Sequence, residues 1–225
     1  MMLFIISCSK DDSNPVEPST NNYPSVKIGT QIWMNKNLDV TNYRNGDPIR
    51  HCQTAEEWKD ATAKNEGAWC YYNNSDSLGK IFGKLYNWYA VNDPRGLSPQ
   101  GWHVPTDLEW KELEISLGMT QQEADAERER GTDQGTQLAG QFHLWTSGVL
   151  VNNVKFGLSG FIAVPGGYRH GDGYFKNISL LGYWWTSTEE NTDMAWYRIL
   201  YYRASTVFRD NYQKDFCFSV RMLKD

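Results

Sequence analysis

The side chains able to do chemistry are spread thin along this 225-residue chain. Its four histidines, His51, His103, His143 and His170, stand apart, with no H-x-x-x-H or C-x-x-C spacing. A zinc site therefore has no support in the sequence, and His103, within Gly-Trp-His-Val-Pro, reads as a satisfied structural histidine. No G-x-S-x-G elbow marks a serine nucleophile. Gly166-Gly167 precedes an aromatic residue and not a helix start, so it cradles no phosphate. Gly171-Asp172-Gly173 reads as a turn. Paired carboxylates for glycoside hydrolysis are defined by separation in space, which leaves a carboxylate-based hydrolase as the least favoured reading.

What stands out is aromatic. Trp184, Trp185, Trp196, Tyr197, Tyr201 and Tyr202 crowd two adjacent expected strands. Side chains alternate across a strand, so Tyr197 and Tyr201 share one face while Trp196, Arg198 and Tyr202 share the other. A strand with rings on both faces is either buried twice, the simpler outcome, or turns one set outward. Outward rings beside an arginine would suit sugar stacking or a protein interface. The expected ligand-binding set is Trp184, Trp185, Glu189, Trp196, Arg198 and Tyr202.

Composition narrows the partner. Net charge is −5 and no basic stripe appears, so the electrostatic footprint of a nucleic-acid binder is missing. No run approaches the roughly 18 apolar residues of a membrane span. Mean hydropathy of −0.62 fits a water-exposed body.

The first residues suggest a compartment. Met1-Met2-Leu3-Phe4-Ile5-Ile6-Ser7-Cys8 is an apolar run ending in a small residue and a cysteine. It resembles the lipobox of bacterial lipoproteins, with Cys8 as the lipidated thiol. Ser9-Lys10-Asp11-Asp12 resembles the signal that sends lipoproteins of Bacteroides-type bacteria to the outer face of the outer membrane. The apolar part is shorter than a signal peptide needs and lacks a basic start, so it reads as truncated. Residues 13–22, rich in Pro, Ser, Thr and Asn, read as a linker. The expected layout is signal, lipidation site and linker over 1–23 and one domain over 24–225, exported and lipid-anchored at the cell surface.

The elements that must position any site follow from pattern. Val26 to Met34 alternates around Gly29-Thr30, which predicts an opening strand or hairpin. Residues 56–64 read as a short helix with Thr54 as N-cap. Thr106-Asp107-Leu108-Glu109 is a capping box for a helix ended by Gly118, and Thr120-Gln121-Gln122-Glu123 opens a second, charged helix through about Arg130. Phe216, Phe218, Val220 and Met222 alternate with Cys217, Ser219 and Arg221, as in a half-buried antiparallel strand. Short helices early and a twisted antiparallel sheet with long loops late predict an α+β fold.

Six stretches carry a resemblance. They are Lys27 to Met34 with Asn37-Leu38, Leu85 to Val91, Gly101 to Thr106 with Glu109-Trp110, Pro165 to Arg169, Gly182 to Glu189, and Phe218 to Arg221. In this order they resemble the Fibrobacter succinogenes major paralogous domain family over roughly residues 26–224. The resemblance implies a secreted or surface protein of undefined biochemical role. More distantly the order of elements resembles the C-type-lectin-like fold of formylglycine-generating enzymes, whose paired active-site cysteines have no counterpart here. Relatives often carry cysteines where this chain has Ser98 and Met222, which implies a lost disulfide. Cys52, Cys70 and Cys217 then form an odd set, read as three reduced thiols or one bridge, Cys52–Cys70 being nearest in sequence. Glu189, Glu190, Asn191 and Asp193 form an oxygen-rich loop of the kind that can hold Ca²⁺. The Glu-Pro-Asn and Trp-Asn-Asp signatures of sugar-binding C-type lectins are absent, so a solvated acidic loop is the better reading and no cofactor is expected. The favoured function is a non-enzymatic module that binds a glycan or another surface protein. A structural or adhesive envelope component without a small ligand comes second.

Overall fold

The computed structural model describes residues 23–225, so Cys8 and the segment read as signal and linker lie outside the described residues. Within them the fold is α+β, with short helices threaded between three sheets. The first sheet closes the domain on itself. β1 (Ser25–Ile28) and β2 (Gln31–Met34) form the expected hairpin, Ile28 opposite Gln31. Gly29 turns it at φ +58°, a left-handed conformation that strains other residues. β2 also pairs with β14 (Leu223–Lys224), and β14 with β6 (Trp102–His103), so both ends of the domain lie in one sheet.

A second, antiparallel sheet runs in the order β10 (Leu181–Glu189), β11 (Met194–Tyr201), β12 (Val207–Gln213) and β7 (Arg128–Arg130). The third is ordered β3 (Arg50–His51), β4 (Ala68–Cys70), β5 (Leu85–Asn87), β13 (Cys217–Phe218), β8 (Gly166–Arg169) and β9 (Phe175–Ile178).

Capping chemistry starts five of the helices. Thr54 and Glu57 make a reciprocal capping box at α1 (Ala55–Ala63). α2 (Asp76–Phe82) and α3 (Trp88–Val91) are capped by Ser75 and Asn87. The capping boxes at Thr106 and Thr120 open α4 (Asp107–Ser116) and α5 (Gln121–Asp125), as expected. α5, however, stops at Asp125 and does not reach Arg130. A charged run with little to bury gains little as a helix. Residues 128–130 instead pair with β12, and Arg130 buries its guanidinium on Glu114, at 2.6 and 3.0 Å.

The terminal strand also departs from expectation. Its alternation is real, but both faces are buried: Phe216, Phe218, Val220 and Met222 join the largest core cluster, while Cys217, Ser219 and Arg221 are at most 1% exposed. The chain here threads between β5 and β8 with a core on either side, so regular pairing covers only Cys217 and Phe218. Arg221 donates to the carbonyls of Met34, Phe161 and Ile162 and to Asn37 Oδ1. Burial pulls its pKa down to about 9. Asn37 Oδ1 also accepts from Trp184 Nε1 at 2.9 Å, while its amide nitrogen donates to Phe82 O and Ser219 Oγ. Residues of three of the six stretches thus meet in one buried hydrogen-bond cluster, which is a structural role. At Gly182 a Cβ would lie 2.7 Å from Val164 O and 2.2 Å from the Trp184 ring, so the strand can pass there only as glycine.

Among the described residues Cys52, Cys70 and Cys217 are free and fully buried, and the close pair is Cys70 and Cys217, with sulfurs 3.8 Å apart, rather than Cys52 and Cys70. Burial pushes the Cys52 thiol up to about 11.

Candidate functional site

The register of β10, β11 and β12 sorts their side chains onto two faces. Tyr183 stands opposite Ile199, Trp185 opposite Tyr197, Tyr197 opposite Asp210 and Ile199 opposite Phe208. These share one face. Trp184, Arg198 and Arg209 share the other, since Trp184 pairs with Arg198 and Arg198 with Arg209.

The second face is turned to α4 and is closed by charge. Asp107 accepts from Arg198 Nη1 at 2.7 Å and from Arg209 Nη2 at 2.8 Å. Glu114, fully buried, accepts from Arg198 Nε at 2.8 Å and from Arg130. Burial works against the Asp107 charge, but the hydrogen bonds from Arg209 and the Arg198 charge prevail and hold its pKa down at about 2. The guanidinium of Arg209 also lies 3.7 Å from the Trp196 ring centroid.

This settles where the expected ligand residues stand. Trp184 and Trp185 are 1% and 0% exposed, Trp196 is buried under Arg209, and Arg198 is consumed by Asp107 and Glu114. In this conformation none of these four offers a free face, and they act as framework. Tyr202 is half-buried against Gly148, with Arg203 over its ring. Glu189 is exposed and ion-paired with Lys214 at 2.7 Å. Cys8 lies outside the described residues. Among the described residues no group of three His, Cys, Asp or Glu side chains is placed to hold a metal ion.

The other face opens outward. Tyr183, Tyr197 and Ile199 from the second sheet meet Tyr168 of β8, Phe218 of β13, and Tyr212 and Phe216 around a concave bowl of about 150 Å³. Tyr183, Tyr197 and Phe218 form its floor: Tyr183 stacks on Phe218 at 5.1 Å, and Tyr197 lies 5.0 Å from Phe218. Trp185 supports the floor, 4.3 Å from Phe218, with its indole nitrogen bonded to Tyr86 O. Tyr212, 42% exposed, stands edge-on to Phe216 and Tyr197 and makes one wall. Tyr168, half-buried, packs on Tyr183 and Phe216 opposite. Tyr183 Oη accepts from Asn177 Nδ2 at 2.8 Å. Burial raises the pKa of Tyr168, Tyr183 and Tyr197, reinforced at Tyr197 by Asp210, so these hydroxyls stay neutral. The bowl thus offers ring faces, ring edges and phenol dipoles, and no nucleophile.

Sequence reasoning missed every residue of this bowl. The signal lies in the alternating set that holds Tyr197, on the face away from Arg198, which a search for rings beside an arginine passes over.

Two other clefts are polar. In one, His103 bridges Asp225 (Nδ1, 2.7 Å) and Glu109 (Nε2, 2.9 Å). Both ring nitrogens are occupied, which leaves no free atom for acid–base work on a substrate. The other, about 350 Å³, is lined by Lys36, Lys80 and His143. Its Ile162 has φ +56°, a strained value for a β-branched residue.

The profile of the Fibrobacter succinogenes major domain family matches residues 26–224. No curated protein and no solved structure matches the chain.

Proposed function

The chain belongs to the Fibrobacter succinogenes major domain family, and from that premise we propose a non-enzymatic binding module that takes a glycan or a surface protein on the aromatic bowl. The observation that carries this reading is the ring-lined concavity on the outward face of a sheet locked from behind. Of its rings Tyr212 and Tyr168 reach solvent, while Tyr183, Tyr197, Phe216 and Phe218 are at most 8% exposed and back them, and Tyr supplies large contact area at low entropic cost. The C-type-lectin-like reading of the fold is supported by β14 pairing with β2, which joins the two ends of the domain. Export and anchoring through Cys8 rest on the first 22 residues. Among the described residues no helix is long and apolar enough to cross a membrane.

The structural or adhesive alternative has its own support. Phe142, Val149, Val154 and Leu158 are 54–95% exposed within a single stretch, apolar surface that a protein contact would cover.

The test compares wild type with Tyr212→Ala and Tyr168→Ala on a glycan array and in capture of surface proteins. Either variant is expected to weaken the partner found by about tenfold or more, the scale of a hot-spot aromatic, with unchanged urea unfolding. A partner whose binding survives both changes would refute the site. For the anchor, label from palmitate must disappear in Cys8→Ala.

A further inference from the structure

The chemistry of the bowl selects among partners. Its lining is built from tyrosine, phenylalanine and one isoleucine. Sugar recognition needs several polar groups converging to grip hydroxyls, and the lining supplies only phenols. The neighbouring amide, Asn177, is committed to Tyr183. Ring faces carry negative potential and attract cations.

One charge stands with the rings. Asp210 lies directly across from Tyr197 in the ladder, on the same face. Its Oδ1 accepts from the Asn211 amide, and it makes no ion pair among the described residues. Arg209, the next residue, is on the far face and neutralised by Asp107. Two neighbouring basic groups do not line the bowl: Lys176 lies 4.9 Å over the Tyr174 ring, and His170 stacks on Tyr174 and stands edge-on to Phe216.

Size and surroundings point to a side chain. At about 30 Å³ of liquid per water, the bowl holds the space of about five waters. That is half the lower end of the about 300–1,000 Å³ typical of sites enclosing a whole small ligand. Around it the half-buried Leu181, Tyr201 and Phe208 extend the same face, room for a segment of chain to lie across.

We propose that the bowl receives the basic side chain, arginine or lysine, of a partner protein, its cationic head between Tyr212 and Tyr168 with Asp210 as counter-charge. This rests on the bowl being the binding surface, and it excludes a glycan as the occupant.

The test titrates the full chain, with isotope-labelled tyrosine, by NMR. The probes are butylguanidinium, its neutral isostere butylurea, tetramethylammonium and methyl glucoside. Butylguanidinium should shift the Tyr212 and Tyr197 signals saturably, about tenfold more tightly than butylurea, as a cation over desolvated rings allows. Asp210→Asn, which is isosteric, should weaken butylguanidinium several-fold and leave butylurea unchanged. Tyr212→Ala should abolish both. Equal binding of butylurea, or tighter binding of methyl glucoside, overturns the cationic assignment while leaving the bowl as a site. Tighter binding of tetramethylammonium overturns the side-chain assignment in favour of a quaternary amine. If no probe moves the bowl tyrosines, the assignment falls. If Tyr212→Ala also spares the natural partner, the underlying reading falls with it.

Discussion

Replacing Arg198 separates framework from site. Its guanidinium reaches Asp107 Oδ1 at 2.7 Å and Glu114 Oε1 at 2.8 Å, and the side chain is 1% exposed. Arg198→Met keeps most of the stem volume and removes the charge. Breaking a buried ion pair by removing one partner costs about 3–5 kcal/mol, because a charge is left uncompensated. Here Asp107 keeps Arg209 and Glu114 keeps Arg130, so neither carboxylate is stranded and the lower end, about 3 kcal/mol, applies. With a urea slope of about 3 kcal/mol per molar, at the top of the usual range, the unfolding midpoint should fall by about 1 M at unchanged slope. The acid limb gives a second reading. The Asp107 pKa is depressed from 3.8 to about 2, so its contribution is present above pH 4 and is lost as pH falls towards 2. At 1.36 kcal/mol per unit that is about 2 kcal/mol, and Asp107→Asn should flatten that limb. A stable Arg198→Met protein that selectively lost its partner would refute the argument and return Arg198 to the ligand.

Three further outcomes are expected. Burial opposes the His103 charge, but the Asp225 and Glu109 carboxylates outweigh it, so its pKa lies above 6.5. Its stabilising effect is therefore full below pH 6.5 and fades as pH rises through the higher folded value; an NMR titration midpoint at or below 6.5 would contradict this, and Asp225→Asn should lower it. Gly182→Ala forces a Cβ against Val164 O and the Trp184 ring and should cost at least about 1–3 kcal/mol in urea unfolding; a neutral effect would mean β10 can shift. Cys52, Cys70 and Cys217, each 0% exposed, should resist iodoacetamide in the native state and react after unfolding, with sites read by peptide mass. Labelling of any of the three at the rate of an open thiol would place it at the surface.

What was legible was what is local. Capping boxes act within four residues, and Thr106 with Glu109 and Thr120 with Glu123 both appear as the sequence implies. The Gly29 hairpin is equally local. The choice of face on β11 is not. The carboxylates that claim Arg198 are 84 and 91 residues away in sequence, and nothing near Arg198 announces them. An isolated arginine beside tryptophans reads as surface; with Asp107 and Glu114 beneath it, it becomes core. The same distance hides the bowl, whose walls Tyr168 and Phe216 lie outside the three strands that supply its floor. The end of α5 was missed for a related reason, since Arg130 serves Glu114 and not its own helix.

The two faces of this sheet explain each other. Rings on a flexible platform would collapse together or lose entropy on ordering, and a site gains affinity when its groups are held in place beforehand. Here β7, β11 and β12 are pinned from behind by Asp107, Glu114 and their arginines, while Trp185 props the floor from below. The front can therefore leave Tyr212 and Tyr168 partly uncovered without the strands rearranging to hide them. Alternation along β12 adds the last element. Arg209 turns inward and is neutralised; Asp210 turns outward and makes no ion pair among the described residues. A face that was merely surplus core would gain nothing from a carboxylate set among its rings, because burying that charge against an apolar partner is costly. A cationic group arriving from outside removes the cost, and that makes the outward acid the feature of this face that purely structural packing does not account for.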